Sequence, residues 1–249
     1  MKKLGVFWLV FLLSFFSICL AKKRVIVFAV DPTWPPMEFV NQNKQIVGYS
    51  IDYMKAAGKE AGFTPVFKSV AWDGIFAGLM NGEYDAICSS VSITPERKKT
   101  MDFSIPYYKV KQAIVVPKNS NVKSLKDLIG KKVGAQIGTT GYFAIAKVKG
   151  IIAKTYDDIG LAMQDLVNGN LDAVVCDDPV AAYYARHKKG FKDKLKFAGV
   201  IENAEVEYYG IAVKKGNKEV LDLINKGIKA VKAKGIEREL LKKWGLSVR

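Results

Sequence analysis

Two kinds of run alternate along the chain. Short stretches rich in β-branched and apolar residues read as buried strands: Val25 to Val30, Phe63 to Val70, Ala86 to Cys88, Ala113 to Val116, Lys132 to Gln136 and Ala173 to Cys176. Between them the apolar positions recur with a helical period. Ile51, Met54, Ala57 and Ala61 share one face of a helix that Ser50 is expected to cap and Gly62 to close. Asp73 is the expected cap of a second helix, which runs through Met80 and stops at Asn81 and Gly82. Strand, helix, strand, helix, strand is the pattern of a parallel α/β sheet, whose right-handed crossovers leave ligand positions at the C-terminal ends of the strands. Further on, Ser124 caps a short helix through Leu128, Thr155 to Asn168 reads as a turn and helix, and another helix carries Val180 to His187. The last strand, Glu207 to Val213, leads into two amphipathic helices, Asn217 to Lys234 and Ile236 to Trp244.

One pattern occurs twice. The segment from Leu79 to Ser90 parallels the segment from Leu166 to Asp177, each residue 87 positions after its counterpart. Both contain a helix end, an Asn-Gly turn, an Asp-Ala pair and a buried strand. Two occurrences are too few for a solenoid and point to two similar α/β lobes. Chance similarity of a common local pattern is the alternative. On the two-lobe reading, Ser90 and Asp177 occupy equivalent strand ends, and a hydroxyl-rich cluster faces a carboxylate across a cleft.

The strand ends carry the candidate chemistry. After Ala86 to Cys88 come Ser89, Ser90, Val91, Ser92, Ile93, Thr94, Pro95, Glu96 and Arg97, with Thr94 as N-cap and Pro95 at the first helical position. Such a turn combines helix N-terminal N–H groups, three hydroxyls and a guanidinium able to hold a carboxylate through two parallel hydrogen bonds. The same stretch also reads as a capped surface helix whose Arg97 is solvated like Lys98 and Lys99. Asp31 and Trp34 lie in a proline-rich loop at another strand mouth, and Trp72 follows a third strand. Gly138, Thr139, Thr140 and Gly141 open a further helix, but the lysine of a phosphate-binding loop is missing, which argues against nucleotides. Each of these positions also has an ordinary structural reading: rim packing for the tryptophans, turn formation for Asp31. His187, the sole histidine, sits among Arg186, Lys188 and Lys189 near a helix end and reads as a surface cap.

Composition narrows the classes. The chain has 249 residues, 49% of them hydrophobic, enough to bury a core in each of two modest domains. The formal net charge of +15 raises nucleic acid or an anionic membrane as a partner. The lysines are scattered as doublets, however, with no basic run, zinc-finger spacing or recognition helix, so the charge reads as a solvated surface. Lys2 and Lys3 precede an uncharged apolar run from Leu4 to Leu20, with Cys19, Leu20 and Ala21 as a cleavage site. Residues 1–21 are therefore expected to be a secretory signal, with an uncleaved anchor or a lipoprotein at Cys19 as alternatives. Cys88 and Cys176 each lie in an apolar run and read as two buried thiols rather than a bridge or a metal site.

Asp31-Pro32-Thr33-Trp34-Pro35-Pro36, the stretch Ser89 to Arg97, Gly138-Thr139-Thr140 and Asp172 to Asp177 together resemble the extracytoplasmic solute-binding proteins of polar amino-acid ABC transporters (family 3), especially the histidine, lysine/arginine/ornithine and glutamine binders. The resemblance covers essentially all of the chain after the signal. It implies an α/β, two-lobed periplasmic-binding-protein fold (type II) with two parallel-type sheets joined by a two-strand hinge. The expected division is lobe 1 from 22–108 and 209–249 and lobe 2 from 109–208. By the same resemblance Arg97, Ser90 and Thr140 hold an α-carboxylate, and Asp177, Ser92 and the Ser89 carbonyl hold an α-ammonium. Trp34 and Trp72 wall the ligand side chain, and Asp31 faces its polar end.

The sequence departs from histidine-type binders at Trp72, where they have an aliphatic residue, and at Gly141, where they have a polar one. Two tryptophans and an aspartate rank arginine, lysine or histidine first and glutamine second. No catalytic residue, metal or cofactor is expected. The expected partners are a free amino acid and the permease subunits of an importer, with no nucleic acid, for a periplasmic or otherwise extracytoplasmic monomer. The rivals are an exported cyclohexadienyl-dehydratase-like enzyme on the same fold and the ligand-sensing domain of a receptor.

Overall fold

The computed structural model describes residues 23–202 and 206–247. The expected signal at 1–21 lies outside them. In chain order, β1 (Arg24–Val30) leads into a small antiparallel meander of β2 (Thr33–Trp34), β3 (Glu38–Val40) and β4 (Ile46–Val47), followed by α1 (Tyr49–Ala61), β5 (Phe63–Ser69), α2 (Trp72–Asn81), β6 (Ala86–Ile87), α3 (Pro95–Thr100) and β7 (Met101–Phe103). Next come β8 (Tyr108–Val110), β9 (Gln112–Pro117), a 3-10 turn at Leu125–Leu128, β10 (Lys132–Gln136), α4 (Thr140–Ala146), β11 (Ile152–Tyr156), α5 (Ile159–Val167), β12 (Ala173–Asp177), α6 (Asp178–Arg186) and β13 (Leu195–Val200). The chain returns through β14 (Glu207–Tyr209) and β15 (Ala212–Lys214) to α7 (Lys218–Ala233) and α8 (Ile236–Lys243).

Two five-stranded sheets result, ordered β5-β1-β6-β15-β7 and β11-β10-β12-β9-β13. In each, three strands run parallel, and the strand that brings the chain across from the other sheet is antiparallel to them. The fold is thus α/β and two-lobed, with parallel order confined to the first three strands of each sheet. The two crossings pair with each other, since Glu207 to Tyr209 runs antiparallel to Tyr108 to Val110. A two-stranded ribbon of this kind bends as a hinge.

The internal repeat has a shared device. The Asp85 carboxylate accepts from the Val27 N–H at 2.8 Å, and Asp172 accepts from the Lys132 N–H at 2.8 Å. In both lobes the aspartate of the Asp-Ala pair ties the entry of its strand to the neighbouring parallel strand. The aspartate of the pair thus has the same role in both places.

Several local expectations are corrected. Ser50 does not cap α1. The cap is Gly48 at φ 141°, where an added Cβ would lie 2.1 Å from the Met37 carbonyl oxygen, so only glycine fits beside β3. The Ser50 hydroxyl is buried instead and lies 3.1 Å from the Tyr107 hydroxyl. Asp73 is not the cap of α2 either, because that helix begins at Trp72 with Ala71 as its cap. The stretch from Thr155 starts within a strand, β11, that pairs in parallel with β10. The segment from Glu207 to Val213 is not one strand: it breaks at Gly210 and Ile211 and serves the hinge ribbon first and the β6 edge second.

The core matches the periodicity. Ile51, Met54 and Ala57 of α1 are fully buried, and α7 lays Ile224, Ile228 and Val231 against them. At Gly227 the two helices approach so closely that a Cβ would stand 2.5 Å from the Ala57 carbonyl oxygen. α8 is fastened to α1 through Asp52, which accepts from the Trp244 indole at 3.0 Å and pairs with Lys243 at 2.8 Å. Tyr49, Tyr53, Tyr107, Tyr108 and Tyr209 form a ring cluster, stacked at Tyr49–Tyr107 and Tyr108–Tyr209 and tilted or edge-on elsewhere, with contacting centroids 5.4 to 6.4 Å apart. Cys88 and Cys176 are free and buried. Among the described residues, no helix is long and apolar enough to cross a membrane.

Candidate functional site

Between the sheets lies a cleft with about 310 Å³ of empty space, part of it open to solvent, bounded by Asp31, Trp34, Trp72, Ser89, Ser90, Ser92, Arg97, Gln136, Thr139, Thr140 and Asp177. All nine positions singled out from the sequence are in that lining.

The first wall is built by the β6–α3 turn. The chain leaves β6 and passes through Ser90 at φ 47°, a left-handed conformation, with Ser90 buried in the lining of the cleft. Thr94 then caps α3 by accepting from the Arg97 N–H at 3.2 Å, as the Thr-Pro pair requires. That cap uses the Arg97 N–H. The Arg97 side chain folds back to donate to the Ser92 carbonyl at 2.9 Å, and it lies over the rings of Trp72 and Phe76, 5.6 and 5.2 Å from their centroids. Burial lowers its guanidinium to about 10, against the opposing pull of Asp177 and Glu207, so it remains cationic at neutral pH.

The opposite wall comes from the C-terminal ends of β10 and β12. Thr139 caps α4 by accepting from the Tyr142 N–H at 3.2 Å, which presents Thr140 at the mouth. Asp177 ends β12, 4% exposed, and accepts hydrogen bonds from the Tyr209 hydroxyl, from the Trp34 indole at 3.1 Å and from the Gln112 amide at 2.5 Å. Burial, then the neighbouring Glu207, pushes its carboxyl up to about 7, against the effect of those three donors.

Asp31, just beyond β1, lines the same cleft. Its N–H donates to the Ser89 hydroxyl at 2.9 Å, and its carboxylate accepts from the Gln136 amide, at 2.9 Å, from across the cleft. Burial raises it to about 6. The walls touch at two more points: Trp72 donates to the Ile137 carbonyl at 2.9 Å, and Arg97 to the Gly138 carbonyl at 3.2 Å. Glu38 is fully buried, and burial pushes its carboxyl well above the usual range, against the opposing effect of the Ser90 and Ser50 hydroxyls.

Gln136, Thr139, Gln112, Glu207 and Tyr209 were not among the sequence candidates. Gln136 had a usable signal, since it ends a strand immediately before the Gly/Thr turn. Gln112 and Glu207 had a weaker one, each being the polar residue at the edge of an apolar crossing strand.

A model of the bacterial extracellular solute-binding proteins, family 3, matches residues 26–247. A probable histidine-binding protein of Neisseria gonorrhoeae is 35% identical over 219 residues, covering 85% of this chain and 80% of that protein. An ancestral arginine-binding protein solved with bound arginine superposes with a TM-score of 0.82 at 40% identity, covering 88% of this chain and 97% of its own. An ancestral amino-acid-binding protein described as a precursor of cyclohexadienyl dehydratase superposes with a TM-score of 0.80 at 36% identity, covering 88% and 95%.

Proposed function

The chain belongs to family 3 of the bacterial extracellular solute-binding proteins, and from that premise we propose that it binds one free basic amino acid in the cleft, outside the cytoplasm, and hands it to the permease of an ABC importer. Arginine, lysine and histidine rank first and glutamine next. The protein acts as a monomer whose lobes are 22–108 with 209–249, and 109–208.

The observation that carries this reading is a single small cleft lined by one guanidinium, Arg97, and two carboxylates, Asp177 and Asp31. Arg97, Ser90 and Thr140 take the α-carboxylate. Asp177 takes the α-ammonium with Ser92 and the Ser89 carbonyl. Desolvating a zwitterion is tolerable only when each end is paired, and these pairs come from opposite lobes, so one molecule satisfies both only in the closed form.

The side-chain preference rests on charge. Asp31 in the cleft lining and Glu207 beside Asp177 leave the site with more negative than positive groups, which a cationic ligand balances better than a neutral one. Trp34 and Trp72 supply the aromatic faces.

The enzyme reading has one observation in its favour: Asp177, with its carboxyl near 7, holds a proton close to neutrality. Three hydrogen-bond donors already surround it, however, which suits a carboxylate that receives a cation. The test is a thermal-shift and calorimetric screen of the purified protein against the common amino acids, with turnover assays on prephenate and arogenate. A raised melting temperature with arginine, lysine, histidine or glutamine and no turnover is expected. Turnover, or no shift with any amino acid, overturns the proposal.

A further inference from the structure

Gln112 stands where the chain leaves the hinge. It is the first residue of β9, directly beyond Lys111 and the ribbon strand β8, and it is 2% exposed. Its amide nitrogen has three acceptors, one from each of three elements: Asp177 Oδ1 of β12 at 2.5 Å, Thr140 Oγ1 of α4 at 3.0 Å, and Glu207 Oε1 of the returning hinge strand β14 at 3.2 Å. Two N–H hydrogens serve these three oxygens, so one is shared. The orientation is dictated by charge, because the opposite flip would set the amide oxygen against two carboxylates.

The other end of the amide is boxed in. Gln112 Oε1 is buried without a hydrogen-bond partner, and a Cβ on Gly141 would come within 2.8 Å of it. Glycine at 141 is what leaves the amide its place. A buried acceptor left unpaired is costly, so a glutamine kept here has a compensating use on its nitrogen side.

We infer that Gln112 is the positioning residue of the amino-acid clamp: one amide fixes the rotamer of the ammonium-binding Asp177 and the hydroxyl of Thr140 and ties both to the hinge strand through Glu207. The inference rests on the amino-acid-binding reading and adds a residue that touches the ligand's partners rather than the ligand.

The decisive variant is Gln112→Met, equal in length and lacking N–H. Binding of L-arginine and of its α-deaminated analogue is measured by calorimetry on wild type and variant, with the ligand-free melting temperature as the folding control. L-arginine binding is expected to weaken on the order of 10- to 100-fold, the range for leaving a buried charged group short of a donor. The deaminated analogue, which makes no use of Asp177, is expected to lose several-fold less.

Equal losses for both probes indicate a merely structural role and overturn the inference, as does unchanged arginine binding. Should Gln112→Met fail to fold, Gln112→Asn keeps the amide but withdraws it by one methylene, and the same unequal loss is required of it. Wild type that binds neither arginine, lysine, histidine nor glutamine defeats the functional reading itself, and this inference falls with it.

Discussion

The Gln136 amide donates to the Asp31 carboxylate across the cleft at 2.9 Å. The carboxylate just beyond β1 therefore meets the opposite lobe directly. A cationic side chain reaching this point exchanges an amide partner for its own charge.

Asp31→Asn tests that exchange. Arginine binding is expected to weaken by about 2 to 5 kcal/mol, the range for breaking a desolvated charge pair, while glutamine, which needs only a hydrogen bond, loses far less. Calorimetry with both ligands reads the difference. Equal losses would remove Asp31 as the determinant of charge preference.

Arg97→Ala and Asp177→Ala are each expected to weaken amino-acid binding by about 2 to 5 kcal/mol, since each strands a buried charge of the ligand. Their effects should fall on different ends. Agmatine, which has no carboxylate, should be insensitive to the loss of Arg97, and the α-deaminated acid to the loss of Asp177. Isothermal titration of the two analogues against the two variants checks this.

The empty protein should respond to pH. With the lobes in contact Asp31 is raised to about 6 and Asp177 to about 7, chiefly by burial, and opening the cleft to water lowers both toward the ordinary carboxylate range. Closing without ligand therefore takes up protons. That contribution to the closed form is fully present below the ordinary carboxylate range and is lost as pH rises through about 6 to 7. Small-angle scattering should find the ligand-free protein more compact at pH 5 than at pH 8, and equally compact at both with a basic amino acid bound. A ligand-free radius independent of pH would contradict the account.

Stability has its own test at Gly227. A Cβ there would press on the Ala57 carbonyl oxygen at 2.5 Å, and that atom belongs to helix backbone, which cannot swing aside. Overpacking costs about 1 to 3 kcal/mol, and the better helix propensity of alanine returns up to about 1 kcal/mol. Gly227→Ala is thus expected to lower the melting temperature by several degrees with arginine affinity unchanged. An unchanged or raised melting temperature would show that α1 and α7 can part more easily than their contact suggests.

What was legible in the sequence was what local rules govern. Thr94 and Pro95 start α3 as capping chemistry demands, Lys132 to Gln136 forms β10 within its expected bounds, and the paired Asp-Ala segments occupy matching places beside β1 and β10. The cleft residues were legible because they sit at strand ends with polar side chains where the apolar pattern stops. The rest depended on neighbours remote in sequence. Gly48 caps α1 because β3 passes beside it, and Ser50 loses that role to a contact with Tyr107. Glu207 to Val213 splits because its halves meet different partners, β8 and β6. Gln112 gains its meaning only from three acceptors lying 28 to 95 residues away in the chain.

The most direct measurement is a crystal structure of the purified protein grown with L-arginine. The account predicts its α-carboxylate within hydrogen-bond reach of the Arg97 guanidinium, its ammonium against Asp177, and its side chain running between Trp34 and Trp72 toward Asp31. An amino acid bound with its ends reversed, or seated anywhere other than between the two lobes, would contradict it.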